Sequence, residues 1–110
     1  MDLKQNHLAH VRYTKTTNYG SGQKGEVTER VILPTYIPGD AVKALDLSDL
    51  TESEALEIQA LAKGYAEYVE AKMNTVFNFE DWIAHTTGGP APTLKHRTFK
   101  LQTLEVIKSE

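Results

Sequence analysis

The chain has 110 residues and contains no cysteine. This absence excludes disulfide bonds, a thiol nucleophile and any metal site built from thiolates. It is also typical of proteins from a reducing compartment, where structural disulfides are rare. Without covalent cross-links, the fold must depend on the burial of apolar side chains.

Long apolar stretches are lacking as well. No segment approaches the roughly 20 apolar residues that cross a membrane, and residues 1–7 lack the apolar centre of a signal peptide. With 40% apolar and 25% charged residues, the composition is that of an ordinary globular protein. We therefore expect one domain over residues 1–110, located in the cytoplasm and with no membrane partner.

The charges are unevenly distributed, although the net charge is only −3. Residues 51–92 carry two basic and seven acidic side chains, whereas residues 93–110 carry four basic and two acidic ones. A cluster of positive charge can form a local anion-binding surface even in a net-acidic protein. The sequence therefore predicts an acidic middle segment and a basic final segment.

The acidic segment begins with a capping box, the clearest local signal in the chain. Thr51 can accept a hydrogen bond from the first helical turn, and Glu54 can reach back to the backbone N–H of Thr51. Apolar residues then recur at the spacing of one buried helical stripe: Ile58, Leu61, Ala62, Tyr65, Val69, Met73 and Val76. We predict a helix over about residues 52–74, in which Gly64 reflects either a close packing contact or simple tolerance.

A second, shorter helix is predicted after the first. Asn78 suits its N-cap, Glu80 and Asp81 suit the positive end of a helix, and residues 88–90, Gly-Gly-Pro, end it. The two helices would together interrupt a chain that otherwise reads as β-structure.

Alternating β-forming residues predict strands on either side of the helices. Four segments show this pattern: residues 8–16, 26–33, 41–47 and 94–107. The first two form a hairpin, whose glycine-rich residues 17–25 we expect to be a mobile loop. The last segment is either one long bent strand or two short ones, with a bulge or bend near Gln102. The fold class is therefore α+β: a small antiparallel sheet, for which a partial SH3-like barrel is one arrangement, with one long and one short helix inserted before the last strands.

No catalytic pattern is present in the sequence. A Gly-x-Ser-x-Gly elbow and a phosphate-binding Gly-Lys-Ser/Thr loop are both missing. The four histidines lack the spacing of a zinc-binding pair, and the adjacent carboxylates Glu80 and Asp81 would not face the same point on a helix. We predict no catalytic residue, no metal and no cofactor, and hence a protein that is not an enzyme.

Basic and aromatic residues on the predicted strands are the strongest indication of function. The candidate ligand-binding residues are Arg12, Tyr13, Arg30, Arg97 and Phe99, and we expect the three arginines to share one face of the sheet. Arginine forks beside aromatic rings can hold phosphate groups and stack nucleic-acid bases. The alternative is a solvated sheet face with cross-strand ion pairs such as Arg12 with Glu29. We expect a nucleic acid or a nucleotide as the partner.

The order of these segments resembles the WYL domain. The matching segments are residues 12–13, a glycine-containing hairpin, and residues 29–34, 97–101 and 104–107. The resemblance implies an Sm-like or SH3-like barrel of the kind found in bacterial transcription regulators and defence-associated proteins, which is thought to sense nucleic acids or nucleotides through a basic pocket. Arg30 and Arg97 match arginines of that family, and Tyr13 and Phe99 match its aromatic positions. The Trp-Tyr-Leu strand of the family has no counterpart here, and the helices of residues 51–87 would be an insertion.

A protein–protein interaction module is the second hypothesis. Phages and mobile elements use small proteins with acidic helices to block host proteins, and this chain is compatible with that role. The acidic residues that would meet a basic partner are Glu52, Glu54, Glu57, Glu67 and Glu70. Alternatively, Trp82 and Phe79 would anchor a partner if they were exposed. A homodimer is compatible with either hypothesis.

Overall fold

The computed structural model describes residues 3–19, 22–71 and 77–109, with the backbone alone at residues 15–19, 22–24 and 26. The elements are β1 (Ala9–Tyr19), β2 (Gly22–Tyr36), β3 (Ala41–Asp46), α1 (Glu52–Ala71), α2 (Phe79–Thr87), β4 (Lys95–Lys100), a 3-10 turn (Leu101–Thr103) and β5 (Glu105–Ser109).

The five strands form one open antiparallel sheet in the order β4-β3-β2-β1-β5. Both helices lie between β3 and β4 in the chain. The predicted α+β fold, with one long and one short helix inserted before the last strands, is therefore confirmed. No helix within the described ranges is long and apolar enough to cross a membrane.

The sheet is curled, because a short 3-10 turn connects its two edge strands. In a flat sheet, β4 and β5 would lie four strand spacings apart, about 19 Å, whereas a 3-10 turn advances only about 2 Å per residue. The N–H of Leu101 donates to the carbonyl oxygen of Asp40 at 2.8 Å and holds this turn in place. This segment therefore forms two short strands, which is one of the two arrangements predicted for residues 94–107. A 3-10 turn lies at Gln102, where the sequence predicted a bulge or bend.

The prediction of a mobile loop over residues 17–25 is wrong. β1 and β2 pair continuously from Ala9 opposite Ile32 to Tyr19 opposite Gly22, and only positions 20 and 21 lie outside the described residues. The threonines of β1 favour extended backbone. At Gly25, a Cβ atom would lie 3.0 Å from the methyl group of Thr14, so glycine permits close packing in this part of the ladder.

Apolar side chains cover both faces of the sheet, because neighbours along a strand point to opposite sides. We call the side that packs on α1 the helix face; its buried residues include Leu33, Leu45 and Leu47, in contact with Ala55 of α1. On the other side, which we call the concave face, Val11, Ile32 and Val42 are fully buried. Phe99, Leu101, Leu104 and Val106 pack against them.

Both predicted helix starts are formed by the expected hydrogen bonds. In the capping box, the N–H of Thr51 donates to Glu54 Oε1 at 3.0 Å, and the N–H of Glu54 donates to Thr51 Oγ1 at 3.2 Å. These hydrogen bonds lower the pKa of Glu54. At the start of α2, Asn78 Oδ1 accepts from the N–H of Asp81 at 2.8 Å. Helix ends of this kind are local in sequence, so they can be read from it.

Gly64 of α1 lies directly against the indole ring of Trp82 on α2. A Cβ atom at this position would lie 3.1 Å from Trp82 Cη2, so the close-contact explanation of this glycine is correct. Trp82 and Phe79 pack on the ring of Tyr65, with centroid distances of 5.6 Å and 5.5 Å. This aromatic cluster packs α2 against α1.

Replacing Gly64 with leucine should separate α2 from α1, because the new side chain would have to displace the indole of Trp82. We expect a loss of about 1–3 kcal/mol, the usual cost of overpacking. Trp82 is the only tryptophan, so its fluorescence reports on this contact during thermal unfolding. Ala60→Leu, on the exposed side of α1, is the matched control, and an equal loss in both variants would contradict the packing role of Gly64.

Candidate functional site

A buried carboxylate lies at the centre of the concave face. Asp46 ends β3, the strand between β2 and β4, and only 5% of its side chain is exposed. Arg97 of β4 donates from Nε to Asp46 Oδ2 at 2.7 Å, and Nε of Arg30 on β2 lies 3.6 Å from the same oxygen. The other oxygen, Oδ1, accepts from the backbone N–H of Ser48 at 3.1 Å. One acidic side chain therefore positions two arginines from two different strands.

Asp46 is ionised at neutral pH. Burial by itself would raise the pKa of its carboxyl, but the hydrogen bonds from Ser48 and Arg97 outweigh burial and lower the pKa below the ordinary 3.8. The two guanidinium groups and the single carboxylate leave one uncompensated positive charge. That charge is available to an anionic ligand.

The contacts with Asp46 leave both arginines partly exposed, although only Arg97 is hydrogen-bonded to the carboxylate. Their side chains are 36% and 42% exposed for Arg30 and Arg97 respectively. Both approach Asp46 through Nε, so their terminal nitrogens are not used in these contacts. Within the described ranges, no second carboxylate lies within ion-pair distance of either residue. Their terminal N–H groups can therefore bind oxygens of a ligand.

Aromatic rings lie next to the arginines on the concave face. Tyr13 of β1 and Phe99 of β4 are separated by two strands in the sheet, yet the curl brings their ring centroids to 5.3 Å, at an interplanar angle of 58°. A cavity of about 490 Å³ opens here. We call it the arginine–aromatic pocket; it is lined by Tyr13, Arg30, His96, Arg97, Thr98 and Phe99.

Arg12 is not part of this pocket, so the expectation of one face containing all three arginines is wrong. It is adjacent to Tyr13 along β1 and therefore points to the opposite side of the sheet. There it lies directly across from Glu29 and forms an ion pair with it at 2.9 Å. Arg12 forms a second ion pair, with Glu105, at 3.6 Å. The hydrogen bond from Arg12 lowers the pKa of Glu29. For Arg12, the alternative of a cross-strand ion pair is the correct one.

The sequence reasoning missed Asp46, although a signal was present. Val42, Ala44 and Asp46 share one parity in β3, and the first two are buried. An acidic residue that continues a buried apolar stripe needs a cationic partner. The position of Asp46 in the predicted strand over residues 41–47 therefore indicated that it pairs with cationic residues, which are Arg30 and Arg97.

The remaining candidates lie elsewhere. Trp82 and Phe79 are half-buried in the aromatic cluster, so neither is an exposed anchor for a partner. His96 Nε2 lies 2.9 Å from Glu80 Oε1 and so connects β4 to α2. In the part of the chain that the structure describes, no three histidine or acidic side chains converge on a point that could hold a metal ion.

No protein-family model, curated protein or solved structure matches this chain. The resemblance to the WYL domain therefore stays a prediction.

Replacing Asp46 with asparagine should destabilise the fold by about 1–3 kcal/mol, because two half-exposed guanidinium groups lose their shared charge partner. The variant tests whether Asp46 organises the pocket. Chemical denaturation at pH 7 measures the loss. Asp49→Asn is the control, since Asp49 forms an exposed ion pair with Lys95, which is worth at most about 1 kcal/mol.

The same pair of proteins should differ in pH dependence. The folded-state pKa of Asp46 is lowered, so its contribution to stability is present above the ordinary pKa of 3.8 and is lost as the pH falls through the folded-state value. The stability advantage of the wild type over Asp46→Asn should therefore shrink below about pH 4. A constant difference between pH 7 and pH 3 would contradict this assignment.

Proposed function

We propose that this protein binds a nucleic acid or nucleotide through the arginine–aromatic pocket and catalyses no reaction on it. The observation that carries the proposal is the shared carboxylate of Asp46, which holds Arg30 and Arg97 beside the rings of Tyr13 and Phe99. Phosphate oxygens would accept hydrogen bonds from the terminal guanidinium nitrogens. A base would stack on the exposed surface of the ring pair.

The arrangement favours binding because one of the two arginines, Arg97, is already oriented. A free arginine side chain loses rotamer freedom when it binds, which costs about 0.5–1.5 kcal/mol. The contact with Asp46 has restricted Arg97 before any ligand arrives. Asp46 also neutralises one of the two charges, which limits repulsion between the guanidinium groups and leaves the site positive.

The chemistry of Asp46 supports a role in binding rather than in catalysis. Its Oδ2 accepts a hydrogen bond from Arg97 and lies 3.6 Å from Arg30, and its Oδ1 accepts from the N–H of Ser48. Its lowered pKa also makes it a weak base. A general base at neutral pH needs the opposite shift. The WYL-like order of Arg30, Arg97, Tyr13 and Phe99 points to the same class of ligand.

The test compares two arginine-to-alanine variants that change the net charge equally. Arg97→Ala removes a cation from the pocket, whereas Arg12→Ala removes one from the opposite face of the sheet. With a fluorescent single strand of about ten deoxythymidines, Arg97→Ala should weaken binding by about tenfold. It should also reduce the slope of log K against log salt by about 0.7. Fluorescence anisotropy measures both quantities.

Arg12→Ala should leave the affinity close to that of the wild type. Equal losses in the two variants would mean that binding follows net charge, and the pocket assignment would be abandoned. Tyr13→Leu tests the stacking surface separately; it should cost about 1–3 kcal/mol of binding energy without changing the salt slope. Competition by a mononucleotide then distinguishes a nucleotide ligand from a strand.

A second function, binding of a protein partner, is favoured by exposed apolar side chains on α1. Leu56 and Val69 are each 41% exposed, and each is followed along the chain by an exposed acidic residue, Glu57 and Glu70 respectively. Apolar side chains among acidic ones are suited to a basic, partly apolar surface. Glu54 is less available for this role, because it closes the capping box.

This second function predicts a partner that remains bound after nuclease treatment. The double variant Leu56→Ser, Val69→Ser should lose that partner in a pull-down. Val27→Ser, which alters an exposed apolar residue of the hairpin, should retain it. A partner that is released by nuclease, or that is retained by the double variant, would contradict binding through α1.

A further inference from the structure

A second cavity lies on the helix face, between the start of α1 and the strands β1 and β5. Its volume is about 320 Å³, which falls at the lower end of the range for small-molecule sites, about 300–1,000 Å³. Its floor is apolar and is made by Leu8, Val31, Leu47, Leu50 and Ala55. The sheet separates it from the arginine–aromatic pocket, so its function is independent of the one proposed above.

The floor of this cavity is held in position by hydrogen bonds of the fold. The N–H of Leu47 donates to the carbonyl oxygen of Val31 at 2.9 Å, and the N–H of Leu8 donates to Gln59 Oε1 of α1 at 2.7 Å. Leu8, Leu47 and Ala55 are buried. The small side chain of Ala55 leaves space between the helix and the sheet. The cavity is therefore formed before any ligand binds.

The polar side chains that line the cavity are Lys108, Glu52, His10 and Thr51, and the first two carry opposite charges. Lys108 comes from β5 and Glu52 from the first turn of α1. Neither forms an ion pair or a side-chain hydrogen bond with any other residue that the structure describes. His10, which lies opposite Lys108 in the ladder, is instead 3.5 Å from Glu29. The cavity therefore offers a separate cation and a separate anion beside an apolar floor.

We propose that this cavity binds a free apolar α-amino acid. The carboxylate of the ligand would pair with Lys108, its ammonium group would pair with Glu52, and its side chain would enter the apolar cavity. A dry cavity of about 150 Å³ already holds a benzene ring, so this one accommodates the side chain of phenylalanine. A ligand with only one charge would leave the other charged group without a partner.

The test is an NMR titration of the whole protein with L-phenylalanine and two of its analogues. Phenylalanine should shift the backbone amide signals of Leu8, Leu50, Ala55 and Lys108, and leave those of Tyr13 and Arg97 unchanged. The analogue 3-phenylpropionate lacks the ammonium group, and phenethylamine lacks the carboxylate. Each should bind about two- to fivefold more weakly than phenylalanine, the range expected for one exposed ion pair.

Charge-removing variants assign the two ends of the ligand. Lys108→Gln should lower the affinity for phenylalanine about two- to fivefold and leave that for phenethylamine unchanged. Glu52→Gln should lower the affinity for phenylalanine by a similar factor and leave that for 3-phenylpropionate unchanged. The matched controls are Lys100→Gln and Glu57→Gln, both exposed and both outside the cavity. Ala55→Leu, which fills the floor, should abolish binding while thermal unfolding shows that the protein remains folded.

Three results would overturn the proposal. The first is the absence of amide shifts around the cavity at about 10 mM phenylalanine, a concentration that reveals even millimolar binding. The second is an equal affinity for phenylalanine and both analogues. The third is unchanged phenylalanine binding in both Lys108→Gln and Glu52→Gln. Because Tyr13 and Arg97 report on the other pocket, failure here leaves the nucleic-acid proposal to its own test.

Discussion

The concave face depends on the ion pairs that the carboxylate of Asp46 forms with two arginines. This carboxylate is almost entirely buried, so its charge requires partners, and the sheet supplies them as Arg97 on one neighbouring strand and Arg30 on the other. The carboxylate links three strands: it fixes the orientation of the Arg97 guanidinium by a hydrogen bond and attracts that of Arg30 by charge alone. Because the arginines are only half-buried, the same contacts leave part of their charge for a ligand. Stability and the proposed recognition therefore have a common origin.

The curl of the sheet decides what surrounds that contact. The short 3-10 turn draws the edges β4 and β5 together, and Phe99 consequently packs near Tyr13, although two strands separate them in the sheet. A flat sheet would present the same residues as an extended surface with no pocket. Strand alternation then divides the chemistry: the arginine–aromatic pocket faces one side, while Arg12, α1 and the second cavity belong to the other.

Local features of the fold could be predicted because their hydrogen bonds join residues close in sequence. The capping box of Thr51 and Glu54 and the N-cap of Asn78 form as expected. The glycine-rich residues 17–25 were mispredicted as a loop because composition alone does not show that a partner strand lies across from them. Gly64 had two open explanations, and only the position of Trp82 decided between them. Arg12 was misassigned because its cationic residue type was given more weight than the parity of its strand.

The sequence by itself determined the two helices, the β-strand character of the remaining segments and the residue types of the candidate site. Short-range hydrogen bonds and hydrophobic periodicity are sufficient for these features. The tertiary structure decided which cations converge, since Arg30 and Arg97 are separated by most of the chain and meet only at Asp46. It also created both cavities, because a cavity is the space left between elements whose relative positions depend on the packing of the whole core.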